Sequence, residues 1–196
     1  EAHYNLGNAF MVLGQENDAI MSYEKAVALK PDYAEVHYNL GNALMELGQL
    51  DEAVKCYESA IDIKPDYGGA HNNLGNTLKE LGQLDDAAKY YEKTLTLQPD
   101  YAEAHHNLST IKKYTASDPQ ITQMQSILSN GDLSQSDRIH LCFALAKVYE
   151  DLGNQDELFK VIHEGNQLRR QEFNYSLDMT VNYHSTIRNL FSSSPT

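Results

Sequence analysis

Three kinds of feature are scarce or missing in this sequence of 196 residues. It has no tryptophan, no signal peptide at its start, and no apolar run approaching the roughly 18 residues of a membrane-spanning helix. The only cysteines, Cys56 and Cys142, lie far apart and form no CxxC or Cys/His ligand spacing. This usage excludes a disulfide framework and a zinc site and is typical of a reducing compartment, so we expect a cytoplasmic protein.

Basic residues are also scarce. The chain has 15 Lys and Arg against 28 Asp and Glu, which gives a formal net charge of -13. Neither half is basic, because residues 1–115 carry 9 − 18 = −9 charges and residues 116–196 carry 6 − 10 = −4. Binding to a phosphate backbone or to anionic lipid needs an excess of Lys and Arg on one face. We therefore expect no nucleic acid and no membrane among the partners.

Motifs that would indicate catalysis or a bound cofactor are absent from the sequence. It contains no GxxxxGK[ST], GxGxxG, GxSxG or HExxH pattern. Paired acids such as Asp51 and Glu52 fall at predicted helix starts, where the helix dipole favours negative charge. A solvated helix end accounts for the local polar cluster of the C-terminal part, which comprises His163, Glu164, Arg169 and Arg170. We expect the chain to be no enzyme, with no catalytic residue, no cofactor and no metal site.

What the sequence does contain is a repeat of 34 residues. The string HYNLGNALMELGQLDEAVKCYESAIDIKPDY, His37 to Tyr67, recurs along the chain at this offset. Four residue types each recur at this spacing of 34 residues. They are leucine (Leu6, Leu40, Leu74 and Leu108), glycine (Gly14, Gly48 and Gly82), alanine (Ala19, Ala53 and Ala87) and proline (Pro31, Pro65 and Pro99). The chain is therefore interpreted as a stack of copies, in which each copy packs on its neighbours.

Each repeat predicts two helices with one apolar face apiece. In the second repeat apolar residues recur at helical spacing in both halves, first at Val36, Leu40, Leu44 and Leu47 and then at Leu50, Ala53, Tyr57, Ala60 and Ile61. Gly41 and Ala53 are expected where the two helices cross, because a larger side chain would push their axes apart. Gly48 is expected to end the first helix in the left-handed conformation and Asp51 to cap the second. Pro65 then ends the second helix.

The links between repeats carry a further signal. Asp32 with Glu35, and Asp100 with Glu103, have the D-x-x-E spacing of a capping box. The period, with an aromatic, Leu-Gly, Ala and Pro at set positions, resembles the tetratricopeptide repeat, a helix-turn-helix unit. The resemblance implies an all-α fold, a right-handed superhelical solenoid whose first helices line the concave wall. Glu1 falls one residue inside the first repeat, so any natural N-terminal signal is expected upstream.

The strict period ends in the fourth copy, and three further segments are predicted after it. Ser117, Asp118 and Pro119 have the pattern of a helix start, and Gly131 follows the end of that helix. The predicted division is a tetratricopeptide array of three repeats and a fourth first helix at 1–116, an inserted helix at 117–131, a degenerate helix pair at 132–172, and a closing helix and tail at 173–196.

The most suggestive polar feature is a row of asparagines on the first helices. One set comprises Asn5, Asn39, Asn73 and Asn107, and a second set, three residues on, comprises Asn8, Asn42 and Asn76. An amide carries donors and an acceptor, so one Asn per repeat could hydrogen-bond the main chain of an extended peptide whatever its sequence. The HxNLGN helices resemble those of the enzyme that adds N-acetylglucosamine to proteins, whose array has such ladders. The alternative is that some Asn side chains bond within the helix pair or to water.

Histidine and tyrosine recur at the same period, and we predict packing roles for both. The sets are His3, His37, His71 and His105, and Tyr23, Tyr57 and Tyr91. Equivalent histidines lie on the order of 10 Å apart in stacked helices. That distance is too great for a shared metal ion bound at about 2 Å. The tyrosines are expected to face the small residues of the neighbouring helix.

The segment from Ile111 to Phe191 resembles the linker region of bacterial proteins in which tetratricopeptide repeats precede a sulfotransferase domain. The resemblance rests on IKKYTASDPQITQMQSIL, LSQSDRIHLCFALAKVYEDLG and HEGNQLRRQEFNYSLD. No donor-binding loop occurs before Thr196, so it implies no catalytic residue in this chain. Three hypotheses stay open: a module that binds an extended peptide segment of a partner protein, the substrate-recruiting arm of a sulfotransferase whose catalytic domain lies beyond Thr196, and a scaffold that self-associates end to end.

Overall fold

The chain is helical throughout the part that the structure describes. The computed structural model describes residues 1–172, which form α-helices joined by short turns, with no strand among them. The helices are α1 (Ala2–Val12), α2 (Glu16–Leu29), α3 (Ala34–Glu46), α4 (Leu50–Ile63), α5 (Gly68–Glu80), α6 (Leu84–Leu97), α7 (Ala102–Ser109), α8 (Pro119–Ser129), α9 (Gln135–Leu152) and α10 (Gln155–Glu172). The predicted all-α class is confirmed. The closing helix predicted within 173–196 lies outside the described residues.

Contacts divide the chain into two compact units, Glu1–Thr115 and Ala116–Thr196. In the first unit α1 pairs with α2, α3 with α4 and α5 with α6, and each second helix packs against the first helix that follows it. The helix α1 also contacts α3, and α3 contacts α5, whereas no comparable contact joins α2 to α4 or α4 to α6 within this unit. The first helices therefore form the inner row of the stack.

A tyrosine ring lying on a glycine sets the spacing of the two helices in each of the first three repeats. Tyr57 on α4 is fully buried, and a Cβ at Gly41 of α3 would lie 2.7 Å from its Cε1 atom. The third repeat has the same contact, with 2.6 Å between a Cβ at Gly75 and Tyr91 Cε1. The predicted packing of these tyrosines against small residues is confirmed. The residue that faces Gly41 is Tyr57, while Ala53 is buried elsewhere along α4.

The ends of the first helices follow the sequence pattern, but the starts of the second helices do not. Gly48 follows α3 with a φ of +71°, a conformation that glycine adopts without the steric cost of a Cβ atom. The predicted N-cap at Asp51 is wrong. The helix α4 begins one residue earlier, at Leu50, and Gln49 occupies the cap position without a side-chain hydrogen bond. Asp51 lies in the first turn, where its negative charge still interacts favourably with the helix dipole.

The two predicted capping boxes at the repeat links are also wrong. The helix α3 begins at Ala34, so Tyr33 takes the N-cap position that was assigned to Asp32, and no side chain caps the helix. The same holds for Tyr101 before α7. In both places the residue after the aspartate, Tyr33 or Tyr101, has the extended backbone of an N-cap. The D-x-x-E spacing therefore starts one residue too early to satisfy the free N–H groups of the first turn.

Histidine fixes the turn between repeats instead. The Nε2 atoms of His37, His71 and His105 each bond the carbonyl oxygen of the proline six residues earlier, at 2.8, 2.9 and 2.9 Å. Because a carbonyl only accepts, Nε2 carries the hydrogen in each ring. The predicted structural role of these histidines is confirmed. Among the described residues no group of His, Cys, Asp and Glu could hold a metal ion.

The second unit starts as the sequence predicts. Asp118 is the N-cap of α8, accepting a hydrogen bond from the Gln120 backbone nitrogen at 3.2 Å, and Pro119 opens the helix. Ser134 caps α9 in the same way, through the Asp137 nitrogen at 3.0 Å. The long helices α9 and α10 then pack on each other. None of the helices described in either unit has both the length and the apolar character that a membrane crossing needs.

Replacing Gly41 with alanine tests the contact with Tyr57. The new methyl group would lie 2.7 Å from the ring, so we expect unfolding free energy to fall by about 1–3 kcal/mol, the usual cost of overpacking. Gly69→Ala is the matched control, since its nearest neighbour is the Tyr38 hydroxyl at 3.6 Å. Alanine is the better helix former there by about 1 kcal/mol. Urea unfolding measures both, and a Gly41→Ala variant as stable as the wild type would contradict the expectation.

Lowering the pH tests the role of His105. Its side chain is fully buried, and burial lowers the pKa of the ring, against smaller opposing effects of its bond to Pro99 and of Asp100. The folded pKa lies below the unfolded value of about 6.5, so the unfolded chain binds more protons as the pH falls. The neutral His105 ring therefore makes its full contribution to the free energy of unfolding above about pH 6.5. That contribution is lost as the pH falls through the pKa of the folded state.

We expect the stability advantage of the wild type over His105→Gln to shrink between about pH 7.5 and pH 5. Urea titrations of both proteins at each pH give this difference directly, because the other titrating groups are common to both. A difference that stays constant with pH would show that His105 does not titrate in this range.

Candidate functional site

The predicted asparagines all lie on the inner row of helices. Asn5 and Asn8 are on α1, Asn39 and Asn42 on α3, Asn73 and Asn76 on α5, and Asn107 on α7. Asn5 is exposed and Asn107 is buried, whereas the other five are partly exposed. The row therefore reaches the surface over the first unit, and its side chains are brought together across the junctions between repeats.

At the first junction the two asparagine sets bond each other. The Asn39 Nδ2 atom donates to Asn8 Oδ1 at 2.9 Å and to the Tyr4 hydroxyl at 3.3 Å. The same Asn8 oxygen accepts from the Tyr23 hydroxyl at 2.7 Å. A tyrosine of one repeat thus orients an asparagine of that repeat, which in turn holds an asparagine of the next. We call this arrangement of Tyr23, Asn8 and Asn39 an amide relay.

The amide relay recurs at the next two junctions. In the second relay Tyr57 donates to Asn42 at 2.8 Å, and Asn73 donates to Asn42 at 2.8 Å and to the Tyr38 hydroxyl at 3.2 Å. In the third, the Asn76 oxygen accepts from Tyr91 at 2.8 Å and from Asn107 at 2.9 Å. These relays contain all the predicted asparagines except Asn5, so bonding within the repeat and bonding along the row occur together.

The buried tyrosines keep each relay in one orientation. Burial is the largest effect on their hydroxyls, and it raises the pKa of Tyr23 to about 12 and the pKa of Tyr57 and Tyr91 well above the usual value. Each hydroxyl therefore keeps its hydrogen at neutral pH and donates it to the asparagine oxygen. Because that oxygen accepts two bonds, the amide nitrogen must lie on the other side of the side chain.

The relays leave specific polar atoms without a partner in the described part of the chain. Asn8 and Asn42 use both lone pairs of Oδ1, but their Nδ2 atoms make no hydrogen bond there. Asn39 is the reverse, because its Nδ2 donates twice and its Oδ1 accepts nothing. The first junction therefore offers a donor on Asn8 and an acceptor on Asn39, oriented in advance by the protein.

The third junction has a different chemistry, because Asn72 stands where the second repeat has Tyr38. The Nδ2 atoms of Asn72, Asn76 and Asn107 converge on Glu103 Oε1, at 3.0, 3.4 and 3.5 Å. Asn107 also donates to Asn72 Oδ1 at 3.3 Å. Asn72 is fully buried and Glu103 is partly exposed. We call these four residues the Glu103 cluster.

The first helices carry more acidic than basic residues. Lys79 is the single Lys or Arg in the sequences of α1, α3, α5 and α7, which also contain Glu35, Glu46, Glu80 and Glu103. Tyr4 and Tyr38 add aromatic surface, with ring centroids 5.3 Å from Tyr33 and 4.9 Å from Tyr67 respectively. This face combines amides, aromatic rings and a modest negative charge.

Sequence analysis missed the tyrosine hydroxyls and the Glu103 cluster. The tyrosines had been assigned to packing alone, although Asn8 and Tyr23 are separated by 15 residues, and each later relay repeats this separation. Glu103 had been assigned to a capping box. The substitution of Asn72 for tyrosine inside a strict repeat is the signal that could have identified the cluster.

The polar residues of the second unit show no comparable convergence in the described range. Arg138 Nη1 pairs with Glu164 Oε1 at 2.9 Å, and the Arg169 guanidinium lies 5.1 Å from the centroid of the Phe143 ring. His163 and Arg170 are exposed. These contacts fit the solvated helix end that the sequence predicts.

Comparisons with known proteins match the first unit to one repeat family. A model described as TPR repeat matches residues 7–48 and 41–82, and the tetratricopeptide repeat model matches residues 69–101. No protein of curated function matches the sequence. The family matches end at residue 101, before the segment from Ile111 to Phe191 that resembles a sulfotransferase linker, so that resemblance stays a prediction.

Solved structures give the same fold. A crystal structure of MamA protein is 19% identical, covers 90% of this chain and 94% of its own, and has a TM-score of 0.64. The second TPR domain of human RPAP3, in complex with the HSP70 peptide SGPTIEEVD, is 29% identical over 57% of this chain and 93% of its own, with a TM-score of 0.55. The first TPR of Spaghetti (RPAP3), bound to the HSP90 peptide SRMEEVD, is 26% identical over 56% and 87%, with a TM-score of 0.56.

Residues 7–101 are thus recognised as tetratricopeptide repeats, and the chain has the all-α fold of a tetratricopeptide-repeat solenoid.

Proposed function

We propose that this chain is a protein-interaction module that binds an extended peptide segment along its first helices. The observation that carries the proposal is the pair of oriented polar groups at the first junction, the Nδ2 donor of Asn8 and the Oδ1 acceptor of Asn39. A peptide main chain presents one acceptor and one donor per residue and can satisfy both groups. The two RPAP3 structures bound to chaperone peptides support this class of ligand.

The spacing of the repeats sets the register of the ligand. Packed helices lie about 8–10 Å apart, and an extended chain rises about 3.3 Å per residue. Successive junctions therefore meet every third residue of the ligand. Two such intervals separate the three relays, so a segment of about seven residues spans them and a nine-residue peptide extends about one residue beyond each end.

The charge of the first helices selects against acidic ligands. The chaperone peptides SGPTIEEVD and SRMEEVD are rich in acidic residues. The first helices carry Glu35, Glu46, Glu80 and Glu103 against Lys79, and of these acids Glu35 lies 3.8 Å from Lys64 Nζ. A ligand whose charge has the same sign as the site binds with lower affinity, and a ligand of opposite charge associates faster. We therefore propose a neutral or basic segment as the ligand of this chain.

Alanine substitutions in the row test the proposal. In Asn39→Ala combined with Asn73→Ala, we expect peptide affinity to fall at least about tenfold, since each lost hydrogen bond is worth about 0.5–1.5 kcal/mol. Asn17→Ala is the matched control, because Asn17 lies exposed on the second helix α2. Fluorescence anisotropy with labelled nine-residue neutral and basic peptides measures the affinities.

The double variant also removes donors from two relays, so its stability must be measured beside its affinity. Asn5→Ala separates the two effects, because Asn5 is exposed and its side chain makes no hydrogen bond in the described part of the chain. It is expected to weaken binding by a few-fold while the urea midpoint stays at the wild-type value. Unchanged peptide affinity in both the double variant and Asn5→Ala would overturn the proposal.

End-to-end self-association is a second candidate, favoured by the apolar face of α1. Leu6 is 45% exposed, whereas its equivalents Leu40, Leu74 and Leu108 are 8%, 1% and 2% exposed. Val12 is also 87% exposed. The equivalents of Leu6 are buried in the interior repeats, so a second copy of the chain could cover Leu6 here.

Light scattering across a concentration series tests self-association. We expect the apparent mass of the wild type to rise with concentration, and Leu6→Glu to keep the mass of a monomer because a charge cannot be buried in that contact. Since Leu6 is already half-exposed, this variant is expected to fold normally. A wild-type chain that stays monomeric at high concentration would remove this candidate.

A further inference from the structure

The third junction differs from the other two at Asn72, and from the second junction at Glu103 as well. Asn72 replaces the tyrosine found at Tyr4 and Tyr38, and Glu103 follows it on the next first helix. The first junction has the equivalent acid, Glu35, but its carboxylate lies 3.8 Å from Lys64 Nζ, and the relay asparagine donates to Tyr4 instead. The second junction has Gly69 at that position. The convergence of amides on a carboxylate is therefore particular to the third junction.

The Glu103 cluster holds the carboxylate in a fixed orientation. Three amide nitrogens reach Oε1, the nearest of them Asn72 Nδ2 at 3.0 Å. Asn72 is fully buried and Asn107 is 7% exposed, so these donors are immobile in the folded chain. The carboxylate itself is partly exposed. An acceptor held in this way loses little freedom when a ligand binds to it.

The charge of Glu103 is not neutralised by the described part of the chain. No Lys or Arg forms an ion pair with it there, and its Oε2 atom accepts no hydrogen bond. The fixed negative field is also felt by Tyr91, whose pKa is raised first by burial and then by Glu103 and Glu80. Lys79 lies one turn beyond Asn76 on α5 and makes no ion pair with the cluster in the same range. A ligand cation would therefore be the partner of Oε2.

We propose that Glu103 is the specificity-determining residue of the peptide site, and that it selects a lysine or arginine side chain in the bound segment. The inference rests on the proposed peptide-binding function and adds the chemistry of one ligand residue. The basic side chain donates to Oε2 while the neighbouring main chain lies along the relays. The residues about three and six positions away then meet the second and first junctions, where Tyr38 and Tyr4 favour neutral or apolar side chains.

The test uses a set of nine-residue peptides with a neutral alanine and serine background, in which a single lysine occupies each position in turn. The wild type is expected to bind at least one lysine peptide about tenfold more tightly than the all-neutral parent, as a hydrogen bond between charged groups implies. In Glu103→Gln, which keeps the shape of the side chain, the ratio of lysine-peptide affinity to parent affinity is expected to fall to about one. Raising the salt concentration should weaken the binding of the same lysine peptide to the wild type, but not its binding to Glu103→Gln.

Two further variants serve as matched controls. Glu35→Gln removes the equivalent carboxylate at the first junction, where it already faces Lys64, and it is expected to keep the full lysine preference. Asn72→Tyr restores the residue of the other junctions and removes the shortest bond to Glu103. It is expected to lower the ratio of lysine-peptide affinity to parent affinity.

The outcomes separate the two proposals. If the neutral parent binds and Glu103→Gln retains the lysine preference, the role of Glu103 is overturned while the peptide site stands. If peptides bind with no lysine preference in the wild type, the inference is likewise overturned. If none of the peptides binds to the folded wild type, the proposed function fails, and the inference fails with it.

Discussion

The contact between a tyrosine ring and a glycine backbone is the constraint on which this structure depends. In the second repeat the Tyr57 ring lies only 2.7 Å from the position that a Cβ of Gly41 would take, so the two helices approach more closely than a side chain at Gly41 would permit without a shift. The same contact places the tyrosine hydroxyl 2.8 Å from Asn42. Asn42 then accepts from Asn73 of the next repeat. Packing within one repeat is thus linked, through a single asparagine, to the junction with the next.

The sequence was sufficient to predict the structural features that depend on one residue or on the spacing of residues within a repeat. Helix pairs follow from apolar spacing, and the end of α3 follows from Gly48, because its left-handed backbone is a property of that residue alone. The position of the asparagine row on the first helices follows from the same period. The starts of the helices could not be predicted in this way. Asp32 has the right residue type near the start of α3, but the hydrogen bond between His37 and Pro31, six residues apart, holds the turn there and Tyr33 is the N-cap. Asp51 fails for a different reason, because α4 already begins at Leu50.

The candidate site was only partly predictable for a related reason. Each relay joins side chains 15 and 31 residues apart in sequence, as in the bonds of Asn8 to Tyr23 and to Asn39. Such bonds depend on how two helices and two repeats are packed, which a list of residue types does not specify. The repeat did define which positions would recur together. Only the packed structure defines which atoms of each amide face one another, and therefore which remain for a ligand.

A repeated scaffold can change what it recognises at one junction while its packing is unchanged. At the third junction Tyr91, Asn76 and Asn107 keep the relay distances of the other two, although Asn72 has replaced an aromatic ring. The loss of that ring exchanges apolar surface for an amide, and the amide can hold the carboxylate of Glu103. Glu103 is partly exposed, and Asn72 supplies its shortest hydrogen bond, so the two residues are interpreted as one unit. In the proposed site, the packing positions that recur in each repeat would define where a ligand lies, and the position that varies between the repeats would select its side chain.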